Sequence, residues 1–91
     1  MQPKTPNDPA AVALAALAAM VSDERRAQRF LDLTGIGTDE LRRRAADPAL
    51  LAALISFLEA HEPDLIAVAE SLQVKPDDLV AARRRLERGE A

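Results

Sequence analysis

Two arginine triplets, Arg42-Arg43-Arg44 and Arg83-Arg84-Arg85, are the densest concentrations of charge in the chain. Clustered guanidinium groups bind phosphates and guanines well. Each triplet also has a simpler use. It follows an acidic turn, Asp39-Glu40 or Asp77-Asp78, and lies toward the end of a short helical segment. Cations there complement the helix dipole at about 0.3 to 1 kcal/mol each. Segment 66 to 86 gives a second reason to consider nucleic acid, because Val74 and Leu79 are spaced like the apolar pair that locks a helix-turn-helix. Arg83, Arg84 and Arg88 then fall on the outward face of the reading helix. Asp77-Asp78 stand where that helix reads bases and repel the DNA backbone, and Gln73 takes the turn position where glycine is usual. Arg42, Arg43, Arg44, Arg83, Arg84 and Arg88 are therefore candidate anion or nucleic-acid contacts, and helix stabilisation is the first reading for the triplets.

The remaining reactive side chains do not assemble into a centre. His61 is the single histidine, so neither a histidine metal cluster nor a charge-relay triad is available, and its place near the end of the fourth helix suits dipole complementation. Glu59, Glu62 and Asp64 straddle a helix break without the spacing of a calcium loop. Ser56 lies in mid-helix with no histidine nearby in sequence, and most other hydroxyls sit at caps or helix ends. Gly35-Ile36-Gly37-Thr38 lacks the strand and lysine of a phosphate-binding loop. With no cysteine there is no disulfide, thiolate zinc site or cysteine nucleophile. The expectation is a protein with no catalytic residues, metal or cofactor.

The elements that hold these side chains come from an internal repeat. Asp8-Pro9-Ala10 and Asp47-Pro48-Ala49 each open an apolar helix, followed by a polar joint, a second helix, a turn and a third helix. The offsets are 39 residues from Asp8 to Asp47, 40 from Glu24 to Asp64 and 38 from Leu41 to Leu79. Aspartate caps free amides and proline occupies the first helical position at no cost in hydrogen bonds. Helices are expected from Pro9 to Val21, from a cap at Ser22 to Thr34, from a cap at Thr38 to Ala45, then from Pro48, Pro63 and Pro76. Leu50, Leu54, Phe57 and Leu58 recur at helical spacing, and no segment alternates like a strand. The fold class is all-α, a compact bundle of about six short helices in two degenerate three-helix halves. Residues 1–7 read as a disordered leader, 8–88 as one helical domain and 89–91 as a frayed tail.

At 91 residues and 2% aromatic content, the core must be aliphatic, built from Leu, Ile, Val and Ala. The net charge is −3; residues 1–46 carry 7 basic and 6 acidic groups, residues 47–91 carry 5 and 9. That overall field draws the protein neither to nucleic acid nor to an anionic membrane. The uncharged run Ala10 to Val21 has Asp8 at its edge and prolines before it, unlike a signal peptide, and is too short to span a bilayer. A cytoplasmic protein without a membrane partner is expected.

Arg29-Phe30-Leu31-Asp32-Leu33-Thr34-Gly35-Ile36-Gly37-Thr38, followed by Asp47-Pro48-Ala49, Phe57-Leu58 and Ala82-Arg83-Arg84, resembles the short bacterial proteins of domain-of-unknown-function family 3572. The resemblance covers about residues 9–87. It implies a compact helical bacterial protein, no particular activity and no site residues. The functional expectation is therefore an interaction or regulatory accessory domain, with a helix-turn-helix DNA binder on residues 66–88 as runner-up. Leu14, Leu17, Met20, Val21, Phe57 and Leu58, on the first and fourth helices, are the candidate partner-binding or self-association surface. The same side chains also serve as core if those two helices pack on one another.

Overall fold

Both Asp-Pro dipeptides start helices in the manner expected of them. The computed structural model describes residues 8–89, so the leader at 1–7 and residues 90–91 of the tail lie outside the described residues. Six helices follow in order: α1 (Pro9–Val21), α2 (Glu24–Thr34), α3 (Thr38–Arg43), α4 (Pro48–Glu59), α5 (Glu62–Leu72) and α6 (Pro76–Glu87). There is no strand among the described residues, and the fold is all-α. The Asp8 carboxylate accepts from the Ala11 amide at 3.2 Å, and Asp47 accepts from Ala49 at 2.9 Å.

The joints differ from expectation by a residue or two, each for a local reason. Asp23, not Ser22, caps α2, accepting from the Arg25 and Arg26 amides at 3.0 and 3.2 Å. Ser22 instead donates its hydroxyl to the Ala19 carbonyl at 2.8 Å and closes α1. Gly35 ends α2 in the left-handed conformation at φ 74°. Thr38 is the first residue of α3 rather than its cap, and α3 stops at Arg43, short of Ala45. His61 lies beyond the end of α4 and takes the N-cap position of α5, which begins at Glu62 rather than Pro63. The α5–α6 turn places Gln73 at φ 60°, so a non-glycine residue accepts the left-handed conformation. Asp78 then accepts from the Lys75 amide at 2.9 Å and secures the start of α6.

Helices α1, α4, α5 and α6 all pack on one another and enclose the aliphatic core. Their inner residues include Ala13, Ala16 and Met20 of α1, Leu54, Ile55 and Leu58 of α4, Val68 and Ala69 of α5, and Leu79 and Ala82 of α6. The two halves of the repeat are thus unequal in space: the second half lies wholly in this four-helix core, whereas the first contributes α1 alone. Helix α2 packs on α1 and is anchored by the fully buried Phe30, while α3 is anchored chiefly by Leu41. The radius of gyration, 12.1 Å, is that of a close-packed chain of this length. No helix among the described residues is long and apolar enough to cross a membrane.

Candidate functional site

Which apolar side chains remain on the surface follows from the unequal halves. Leu17, Met20 and Leu58, which fitted either a partner surface or a core between the first and fourth helices, belong to the core, because α1 and α4 face one another. Phe57 is half-buried and meets Phe30 edge-on, with ring centroids 5.2 Å apart at 80°. Leu14 and Val21 stay 47% and 43% exposed, because α1 is apolar all round and the six-residue α3 is too short to cover the side it approaches. Between α1 and α3 lies an open apolar groove walled by Leu14, Ala18, Val21 and Ala45, with the nearly buried Leu17 and Leu41 at its base. Arg42 is the single charged side chain in that lining among the described residues. Sequence reasoning found Leu14 and Val21 but missed the α3 wall, although Leu41 and Ala45 share a helical spacing.

The candidate anion contacts fall into separate environments. Arg83 folds onto Glu59 of α4 and pairs with Glu87 at 2.8 Å; the Glu59 carboxylate holds its guanidinium above its usual pKa. Arg44 bonds Asp47 at 3.1 Å and Glu40 at 3.2 Å, and Asp47 chiefly raises its pKa. Both arginines are therefore engaged as internal braces. Among the described residues Arg42 pairs only with Asp39, at 3.8 Å on an exposed surface, where such pairs contribute little. Arg43, Arg84 and Arg88 are exposed.

Arg26 and Arg29 of α2 converge on Asp64 of α5. Arg26 Nε lies 2.8 Å from Asp64 Oδ1, Arg29 pairs with Oδ2, and His61 Nδ1 is 3.0 Å from Oδ2. Asp64 is buried, and a buried carboxylate is tolerable only when paired in this way. The guanidinium of Arg29 also stands 5.7 Å over the Phe57 ring. The cluster fastens α2 to α5 and explains how a peripheral helix is held. It also separates the acids near the α4–α5 joint, since Asp64 turns to α2, Glu59 turns to Arg83 and Glu62 is exposed.

The helix-turn-helix geometry is present in outline: Val74 packs against the core and Leu79 is fully buried. Its second helix, however, lies against α4, α1 and α5. The exposed line of α6 consists of Asp77, Ala81, Arg84 and Arg88, so it begins with an acid.

A family model described as Protein of unknown function (DUF3572) matches residues 6–89, nearly the whole chain. No curated protein and no solved structure matches it.

Proposed function

We propose, from the premise that the chain belongs to the DUF3572 family of proteins of unknown function, that it is a non-enzymatic interaction module of the bacterial cytoplasm. Its working surface is the α1–α3 groove, which takes an apolar ridge from a helix of a protein partner. The observation that carries this reading is the pairing of exposed Leu14 and Val21 over a base of Leu17 and Leu41. Exposed aliphatic side chains lining a concave surface mark docking sites more often than scattered ones do. The small Ala18 between them leaves room for an incoming side chain, as in knobs-into-holes packing.

The second reading, a DNA binder on residues 66–88, is supported by the α5–turn–α6 geometry and opposed by Asp77 at the head of the outward face. A photocrosslinking residue placed at Leu14 or at Arg84 in living cells separates the two. Discrete protein adducts from position 14, lost when Val21→Glu is added, are expected. Nucleic-acid adducts from position 84 with none from position 14 would reverse the ranking.

A further inference from the structure

The exposed large aliphatic side chains among the described residues occupy three places: Leu14 and Val21 at the groove, Leu33 near the end of α2 and Ile66 on α5. Helix α5 buries Leu65, Val68 and Ala69 and leaves Ile66 41% exposed. Glu62 and Glu70 lie one turn before and one turn after it, so all three share one line of the helix. Both glutamates are exposed, and neither has an ion-pair partner among the described residues.

The groove offers the opposite pattern. Arg42 stands in its lining, and Arg25 borders an adjoining depression that shares Val21. Arg25 has no ion-pair partner among the described residues, and Arg42 has only its loose contact with Asp39. Glu24 borders that depression and Asp39 lies 3.8 Å from Arg42, so the rim carries no net positive field and the two arginines act as individual ion-pair partners. Lengths match as well: at about 1.5 Å per residue, Leu14 to Val21 spans roughly 10 Å and Glu62 to Glu70 roughly 12 Å. Ala18 leaves a dent within the first line, and Ile66 supplies a knob at the middle of the second. Leu33 is a poorer fit, with Arg29 one turn before it and the helix end one residue after it.

We propose that the occupant of the α1–α3 groove is α5 of a second copy of this chain, with Ile66 seated between Leu14 and Val21 and its flanking glutamates facing Arg25 and Arg42. The proposal rests on the groove reading above. Groove and knob are different surfaces, so the contact is head-to-tail and leaves each copy with an unused surface, which carries association past the dimer. One apolar knob and two exposed ion pairs make a small interface, hence a weak and salt-sensitive one.

Sedimentation equilibrium of the full chain with interference optics, from about 10 μM to 1 mM, tests this over the range expected of small interfaces. The weight-average mass is expected to rise above 9.8 kDa with concentration and to fall back when salt is added. Ile66→Ser and Val21→Ser, both at exposed positions, each abolish the rise. Mixing the two variants restores association that stops at the dimer, because one chain keeps its groove and the other its knob. A wild-type chain that stays monomeric, or a mixture that does, overturns the proposal; crosslinks from Leu14 to a different protein leave the groove reading standing. Loss of association in Val21→Ser but not in Ile66→Ser rejects α5 as occupant while keeping the groove.

Discussion

Single positions govern the joints of this protein more than its core does. Gly35 and Gln73 both hold left-handed backbone, at φ 74° and 60°, and only one of them is glycine. A Cβ built at Gly35 meets nothing within 4 Å, so its substitution carries a purely conformational cost. Gly35→Ala is expected to lower stability by about 1 kcal/mol and Gln73→Gly to raise it by about 0.5 kcal/mol, both read from urea denaturation. Gly37, with φ −79°, serves as the control: Gly37→Ala should be close to neutral. Asp64 is the other decisive position. Asp64→Asn leaves Arg26 and Arg29 without their common anion, but both guanidinium groups reach water, so the expected loss is about 1–3 kcal/mol rather than the larger cost of a fully buried orphan charge. Nothing in the sequence announces this pairing, because Arg26 and Asp64 are 38 residues apart and no local pattern links them. The caps, by contrast, were legible, since Asp8 and Asp47 act within three residues of themselves.

At the level of helices, local chemistry and packing give different kinds of information. Pro9, Pro48 and Pro76 mark the starts of α1, α4 and α6 directly, and the periodic leucines of α4 identify its inner face. Helix α1 carries no such signal. It is apolar all round, so the side left open is decided by the length of α3, which no property of α1 reveals. On such a helix Leu17 and Met20 fit a partner surface and a core alike, and it is the approach of α4 that makes them core. Because α3 is short and packs little on the other helices, it is expected to open well below the free energy of global unfolding. Native-state hydrogen exchange should find α3 amides exchanging fastest among the six helices and the central amides of α4 and α6 slowest. Equal protection in α3 and α4 would contradict the packing described here.

Taken whole, the molecule is a four-helix core with two appended helices, tied at its periphery by carboxylates. The Arg26 amide holds the Asp23 carboxyl below its usual pKa of 3.8, and the Ala49 amide followed by the Arg44 guanidinium does the same for Asp47. These groups titrate lower in the folded state than in the unfolded state. Their contribution is therefore complete above the unfolded value and is lost as pH falls through the depressed folded values. Urea midpoints should stay level from neutrality to about pH 5 with respect to these two groups and decline below about pH 4. In the double variant Asp23→Asn, Asp47→Asn the decline should be shallower. The mutual packing of α1 and α6 has a further consequence, for synthesis. Some 55 residues separate the end of α1 at Val21 from the start of α6 at Pro76. A ribosome adding about 5–20 residues per second takes roughly 3 to 11 s to cover that distance. For that interval α1 lacks one of the helices that close over it, and release from the ribosome before α6 emerges leaves the sides of α1 and α4 that face α6 uncovered. A chain that stops short of α6 therefore shows core surface that the finished protein buries, the kind of surface that makes folding intermediates prone to aggregate.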